Sequence, residues 1–441
     1  MFSAIINAFK IEDLRKKILF TLFIVLLYRV GCHIPAPGVD VNLVAETVKN
    51  NAALGFLNLF TGSALQQLSV FALGVMPYIT SSIIMQLLQA AIPTIEEWSK
   101  DEAGQRKITQ ITRYITIGIG LVESIGLLYT FRSAIRSVAS IPGWLTPVMI
   151  VGSLLAGTAL IMWISELITQ RGVGNGMSMI IFSSIVARFP AALIESLKDT
   201  VTGAWKVWWQ LLITAAVIII VLLVVIFVVI YIEEGQRRIP VQYAKRVVGR
   251  RVFGGSGTYI PLKVNGANVV PMIFASAILT IPLQLSQIFP QANWLSKIAN
   301  FVSPQSSSAT AALLPWYSGW GNWLITFILI VFFAYFYTAL VFNPIDISDN
   351  LRKQGGFIPG IRPGNNTTRY IEQVMNRITL PGALFLGCIA VGTSVVFALT
   401  KSPMVNQFGG TSILIMVGVA LETMQQIESQ LTMRHYEGFF K

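Results

Sequence analysis

The feature that most constrains this chain is an unbroken apolar run, WWQLLITAAVIIIVLLVVIFVVIYI, which covers residues 208–232 without one charged side chain. A helix needs about 20 mainly apolar residues to cross the hydrocarbon core of a bilayer. Because lipid offers the backbone no water to bond with, a segment of this kind must satisfy its own hydrogen bonds as a helix. The run therefore predicts a membrane-spanning helix.

Nine more apolar stretches predict further spans, and the composition agrees with them. Only 12% of the residues are charged, whereas a soluble domain carries about 25%. We therefore predict an all-α integral membrane protein with ten transmembrane helices. The ten stretches are centred on residues 18–34, 70–91, 112–131, 147–168, 177–189, 208–232, 269–288, 320–342, 380–399 and 411–430.

Basic residues predict the orientation in the membrane. Most of the 32 lysines and arginines lie on the same side as the N-terminus, and cytoplasmic connections carry the excess positive charge. Both termini are therefore predicted to be cytoplasmic.

The net charge of +12 also suits a nucleic-acid partner, but cytoplasmic loops account for it more simply. Arg15–Lys17 before an apolar run resemble a signal peptide, yet no small-residue cleavage site follows, which favours a retained first span.

The number of spans predicts two halves. Five spans precede and five follow residues 197–206, and an odd number per half makes the halves inverted relative to each other. We assign residues 1–196 to the N-terminal half, 197–206 to an external hinge connection and 207–441 to the C-terminal half. This pseudo-symmetry rests on counting alone, since the halves share no strong identity.

A re-entrant half-helix is predicted at about residues 56–68, ahead of the second span. Within Gly55–Leu88, the part Phe56–Gln67 is short, polar-flecked and contains glycine, and the apolar part Val70–Leu88 is interrupted at Met76–Pro77. A half-helix at membrane depth is tolerated only where protein buries it or where it lines a cavity. The stretch therefore indicates a channel or carrier rather than an anchor.

Two cytoplasmic loops, residues 233–268 and 343–379, are much longer than the others. In the first, alternating Ile239, Val241 and Tyr243 precede a turn at Val248–Gly249 and a second alternating run, which predicts a β-hairpin. The second holds GGFIPGIRPG, a Pro/Gly turn, followed by a short helix. The loops carry either charge that only fixes topology or a docking surface. Topology does not require ordered loops of this length, which favours docking.

Motifs for catalysis are absent from the sequence. It contains no Walker loop, no G-x-S-x-G and no H-E-x-x-H, so we predict that the chain is not an enzyme and binds no cofactor. Cys32, Cys388, His33 and His435 are too few for a disulfide framework or a metal cluster.

Only Glu123 lies well inside a predicted span. It either faces the bundle interior, hydrogen-bonded there, or takes part in transport; the sequence leaves both open. A secondary transporter for a small solute is the main alternative to a channel, but it needs a compact polar site at the membrane midplane. A scaffold without transport leaves the half-helix unexplained.

Apolar side chains take the place of polar sites. Val75, Ile79 and Ile83 are spaced i, i+4, i+8 and share one face of the second span, and Met177 and Ile181 form a similar pair on the fifth. By themselves such stripes are typical of core packing.

A series of motifs resembles one family across nearly the whole chain, the SecY family, central subunits of the bacterial protein-conducting translocon. They occur in the family's order and spacing: LRKKILFTL, YRVG before HIPAPG, NLFTGSAL, FALGVMPYITSSIIMQLL, GQRKITQITRY, MWISELITQRGVGNGMSMIIF, GQRRIPVQYAKR, GRRVF, PLKVNGANVVPMIFAS, GGFIPGIRPG and FGGTSILI.

The resemblance implies an hourglass channel that translocates unfolded polypeptides and releases transmembrane segments sideways into the plasma membrane. A ring of apolar side chains closes its waist, a plug stops the waist when idle, and a lateral gate opens between spans two and three and spans seven and eight. Carried over by motif, the ring is Val75, Ile79, Met177, Ile181, Ile273 and Ile415, where Val75 and Met177 depart from the family's isoleucine. The plug is Phe60, Thr61, Gly62, Ser63, Ala64, Leu65, Gln66 and Gln67, and the gate residues are Ser82, Ile83, Gln86, Ala277 and Ile281.

The resemblance also implies partners and a location. Arg250, Arg251 and Arg362 in the long loops are the expected docking residues for the motor ATPase SecA or the ribosome. SecE and SecG are the expected membrane partners, signal sequences and nascent polypeptides the expected cargo, and the bacterial plasma (inner) membrane the expected bilayer. Asn268 stands where the motif more often has a small residue.

Overall fold

The structure is a computed structural model that describes residues 8–50, 52–135, 144–202, 208–243, 246–248, 251–253, 258–289, 291–302, 320–399 and 410–437. Ten long helices of the described chain correspond to the ten predicted spans, and each apolar stretch lies wholly or mostly in one of them. They are α1 Glu12–Gly31, α4 Met76–Ala91, α6 Glu102–Thr130, α7 Leu145–Arg171, α8 Gly176–Thr202, α9 Trp208–Glu233, α10 Val270–Ile288, α12 Trp320–Val341, α14 Asn365–Leu399 and α15 Gly410–Glu437.

Shorter helices join the long ones. They are α2 Val41–Asn50, α3 Ala52–Phe60, α5 Pro93–Lys100, α11 Asn293–Val302 and α13 Pro344–Lys353. Within the described residues, five helices are long and apolar enough to cross a membrane, and α4 with α5, bent by 106°, makes up to six. Large apolar side chains stay exposed on the outside of the bundle, such as Leu26 (59%) on α1 and Phe227 (70%) on α9. A surface of this kind suits lipid rather than water.

The segment before α4 is less helical than predicted. Helix α3 ends at Phe60, residues 61–64 form turns, and only Leu65–Gln67 returns to a 3-10 helix. The prediction of a half-helix over Phe60–Gln67 was therefore wrong for residues 61–64. Pro77 lies in the first turn of α4, where its missing N–H costs no hydrogen bond. Met76–Pro77 consequently starts the second span instead of interrupting it.

The described parts of the two long loops share one three-stranded sheet. Strand β1 (Gln236–Tyr243) pairs antiparallel with β4 (Thr258–Lys263), and β2 (Arg246–Val248) with β3 (Arg251–Phe253), which confirms the predicted hairpin. The two-residue strand β5 (Gly356–Phe357) joins from the other loop and pairs with the end of β1. The predicted short helix of the second loop is wrong as a separate element, because it is the beginning of α14, which continues through Pro381.

Among the described residues, the largest apolar cluster lies between the long helices, and a smaller one includes residues of α2 and α3. Helix α10 packs against α4 and α6, while α8 packs against α9 and α15. These two seams lie where the predicted halves would meet. Helix α8 continues to Thr202, so most of the predicted hinge connection is helical, and residues 203–206 lie outside the described residues.

A close approach at Gly157 gives a stability prediction. A methyl group at Gly157 of α7 would collide with the carbonyl oxygen of Val70, whereas one at Gly152 on the same helix meets no described atom within 4 Å. Overpacking costs about 1–3 kcal/mol, so Gly157→Ala should lower the Tm measured in detergent. Gly152→Ala should leave the Tm unchanged or raise it slightly, since alanine favours helix. Equal Tm values for the two variants would contradict the packing described.

Candidate functional site

Six apolar side chains predicted to form a ring come together in the centre of the molecule. Val75 immediately precedes α4, Ile79 lies on α4, Ile273 on α10 and Ile415 on α15, and all are at most 8% exposed. Ile181 of α8 belongs to the same buried cluster, and Met177, one turn earlier, packs against it. Five of the six are therefore fully withdrawn from water. We call these six residues the waist.

The predicted plug residues are divided between two buried apolar clusters. Phe60 (1% exposed) and Ala64 (0%) belong to the same buried cluster as the waist. Leu65 instead joins the smaller cluster, which also contains Leu57 and Leu68. The segment thus contributes to two apolar clusters, and Gln66 and Gln67 at its C-terminal end are half-buried.

Local hydrogen bonds shape the turn of the plug. The side chain of Asn58 accepts from the backbone N–H of Gln66 at 3.1 Å, and the hydroxyl of Thr61 accepts from the N–H of Leu65 at 3.3 Å. Ser63 (φ 76°) and Leu68 (φ 40°) have left-handed backbone conformations. Side chains with a Cβ are strained there, and strain of this type gathers at functional sites.

The predicted gate residues lie along the seam of α4 with α10. Ile83 (5% exposed) and Ala277 (0%) are in the same cluster as the waist. Ser82, Gln86 and Ile281 are half-buried, and Gln86 donates to the hydroxyl of Ser82 at 3.3 Å. The seam is closed by side chains rather than by backbone, so separating it breaks no secondary structure.

A small cavity of about 30 Å³ lies where plug and seam meet. Leu57, Thr61 and Leu65 line it from the plug side, and Glu123 of α6 and Gln284 of α10 line it from the seam. Glu123 is 8% exposed, and its Oε2 atom has no hydrogen-bond partner among the described residues. Of the two roles left open for Glu123, its burial matches the position in the bundle interior.

The predicted docking residues belong to the two long loops, residues 233–268 and 343–379. Arg362 is exposed on the turn between β5 and α14, and its carbonyl accepts from the hydroxyl of Thr367 at 3.1 Å. Arg251 lies on β3, and Arg250 lies outside the described residues. Ile358 (3% exposed) anchors the turn by packing in a cluster with residues of β1 and β4. Arg362 thus projects from a fixed base.

Asn268 has a structural role that its sequence context did not reveal. Its backbone is left-handed (φ 50°), which asparagine tolerates better than most residues. Its carbonyl accepts from the side chain of Asn265 at 2.9 Å, and that amide also donates to the carboxylate of Glu233 at 2.6 Å. These bonds fix the connection from β4 into α10.

Comparison with known proteins places the chain in a family. It matches the family model described as SecY over residues 69–424. The chain belongs to the SecY family. Among its relatives, the protein translocase subunit SecY of Streptomyces coelicolor is 47% identical over 459 residues, with 100% of both chains covered. The subunit of the same name from Mycobacterium tuberculosis is 45% identical over 469 residues, again with 100% of both covered.

Solved structures share the fold of this SecY-family chain. A protein-conducting channel aligns with a TM-score of 0.63 at 18% identity, covering 94% of this chain and 92% of that one. A SecY protein whose plug domain is described as stabilising the closed state aligns with a TM-score of 0.62 at 17% identity, and the coverage of both chains is the same. Sec61 in a canine ribosome-channel complex aligns with a TM-score of 0.59 at 17% identity, covering 94% of this chain and 92% of that one. The predicted architecture, ten transmembrane helices in two inverted halves with a re-entrant plug segment, is confirmed.

Sequence reasoning missed two features of the site. The pairing of β5 with β1, which unites the two cytoplasmic loops, left no signal in so short a strand. Arg29, near the outer end of α1, was visible as a charge at the end of an apolar run, but nothing in the sequence indicated that its Nη1 reaches the carbonyl of Gly62 at 2.9 Å.

Proposed function

We propose that this SecY-family chain is the channel through which unfolded polypeptides cross the bacterial plasma membrane. Transmembrane segments leave the same channel sideways into lipid. The observation that carries this function is the waist, where apolar side chains from four helices and the turn before α4 meet in one closed cluster under the plug.

An apolar waist suits a polypeptide cargo. A narrow hydrophobic constriction excludes water and ions by dewetting, and it offers no fixed charge that would trap a passing chain. Met177 is flexible and fills irregular gaps, so the waist can adapt to cargo side chains of different size. A carrier for a small solute instead needs a compact polar site, for which Glu123 and Gln284 alone are too little.

Each predicted set of residues receives a role in this proposal. Residues 60–67 are the plug, the waist is the pore ring, and Ser82, Ile83, Gln86, Ala277 and Ile281 border the lateral gate. Residues 1–196 and 207–441 are the two halves, hinged at residues 197–206 on the side opposite the gate. Arg250, Arg251 and Arg362 form the docking surface for a cytosolic partner.

The partners follow from this assignment. The chain supplies no chemistry of its own, so the energy comes from the motor SecA or from translation on a ribosome. Arginine can bond carboxylates or phosphates bidentately, which suits either partner. The likeness to a ribosome-bound channel supports the ribosome, and SecE and SecG complete the complex in the membrane. Both termini and the long loops face the cytoplasm, in keeping with their basic residues.

Reconstitution tests the proposal. Vesicles containing the chain with SecE and SecG should protect a secretory precursor from protease when SecA and ATP are supplied. A precursor without its signal sequence is the matched control and should stay accessible. Precursor that remains fully digestible in competent vesicles would count against a polypeptide channel.

A further inference from the structure

The turn of the plug is held by a charged side chain from outside the plug. Arg29 lies in the last turn of α1 and is half-buried. Its guanidinium Nη1 donates to the carbonyl oxygen of Gly62 at 2.9 Å. Hydrogen bonds from a charged donor are about twice as strong as bonds between neutral groups. This contact therefore ranks among the stronger single links between the plug and the helices.

Neighbouring contacts hold α1, α8 and Gly62 close together. The hydroxyls of Tyr28 and Ser184 are hydrogen-bonded at 2.8 Å, which fixes α1 against α8 beside Arg29. A methyl group added to Gly62 would lie 2.6 Å from Nη1 of Arg29 and 3.1 Å from Cα of Ser184. Gly62 thus lies between Arg29 and α8, where a side chain would crowd both and would also be strained by the left-handed backbone.

The clamped turn is strained. Ser63 (φ 76°) and Leu68 (φ 40°) have left-handed backbones that cost energy for a residue with a Cβ, whereas Gly62 (φ 63°) adopts this conformation freely. Such conformations persist only when the surroundings hold them. Once the bond to Arg29 is released, the backbone of residues 62–63 gains freedom, which favours the displaced plug.

From these contacts we infer that Arg29 is the latch of the plug, a positioning residue that holds Gly62 and thereby keeps the idle channel closed. This inference rests on the proposed channel function and adds the residue that sets how readily the plug leaves. The latch acts on the plug backbone and therefore does not depend on the plug's side chains. It also lies outside the waist, so the cargo path itself carries no charge.

The resting ion conductance of the reconstituted complex tests the latch. Arg29→Met keeps an unbranched chain but removes the donor, and it should raise resting conductance about tenfold, the lower end of what one bond to a charged group contributes. Arg29→Lys keeps a charged donor and should leak less than Arg29→Met. Ser63→Gly relieves strain in the closed turn, and when combined with Arg29→Met it should reduce the leak.

The outcomes separate the latch from the channel. Ile79→Asn, in the waist, serves as the leaking control. If Ile79→Asn raises the resting conductance while Arg29→Met conducts no more than the parent, the latch is wrong and the channel assignment is retained. If neither conducts more than the parent, the channel assignment fails as well. Should Arg29→Met not fold, Arg29→Gln decides, because its shorter, uncharged side chain also removes the charged donor: leakage above the parent supports the latch, and parental conductance overturns it.

Discussion

Replacing Ile79 with asparagine should make the idle channel conduct ions. Ile79 is 5% exposed and belongs to the waist cluster. Loss of a buried isoleucine removes about 2 kcal/mol of apolar burial, and the amide adds hydrogen-bonding groups that retain water. Since about 1.4 kcal/mol corresponds to a tenfold change in an equilibrium, the wetted state should become more than tenfold more populated. Resting conductance of the reconstituted complex in a planar bilayer measures this directly.

Two matched variants isolate the waist as the cause. Ile79→Leu keeps an apolar side chain of equal volume and should stay closed. Ile84→Asn makes the same change on the same helix, but Ile84 is exposed at 36%, so it should not wet the waist. Ile415→Asn, in the same buried cluster on α15, should repeat the effect of Ile79→Asn. Unchanged resting conductance in both waist variants would refute the ring assignment.

Reversing the charge of Arg362 should stop motor-driven translocation and leave the fold intact. The side chain is exposed, and only its backbone carbonyl takes part in the turn, through Thr367. A like charge facing an acidic or phosphate-bearing partner costs several kcal/mol. We therefore expect Arg362→Glu to reduce precursor protection in vesicles more than tenfold, because about 1.4 kcal/mol already gives that factor. The Tm should match that of the parent.

Two control variants accompany Arg362→Glu: a smaller change at the same position and a charge reversal at another exposed arginine. Arg362→Lys keeps the charge but loses the planar fork, so it should fall between the parent and Arg362→Glu. Arg352→Glu alters an exposed arginine of the same loop, on α13, that lies 3.7 Å from Asp349, and it should have a smaller effect. If Arg362→Glu translocates the precursor at the parental rate when SecA is limiting, Arg362 does not belong to the docking surface.

Much of the fold could be read from local patterns. The ten spans were predictable because a helix in lipid needs a long apolar run, a property of neighbouring residues. The β-hairpin was predictable from the alternation around Ile239 and Val241. The extent of the plug helix was not, since the turns at residues 61–64 are stabilised by hydrogen bonds from Asn58 near the end of α3, from Thr61 in the turn itself and from Arg29 on α1.

The candidate site shows the same division. Composition and spacing could place Val75, Ile79 and Ile83 on one face but could not separate a pore from ordinary packing; the family motifs made that distinction. The roles of Ile273 and Ile415 depend on helices that are remote in sequence, and only their meeting with α4 and α8 makes a closed waist.

The sequence by itself determined that this chain lies in a membrane and to which family it belongs, and it predicted how its helices are oriented. Apolar length, basic loops and ordered motifs are local properties, so no coordinates were needed. Only the tertiary structure decided that the two cytoplasmic loops share a sheet and that Arg29 clamps Gly62. Those contacts join residues far apart in the chain, and their energy exists only once packing brings a charged donor within 2.9 Å of a strained turn.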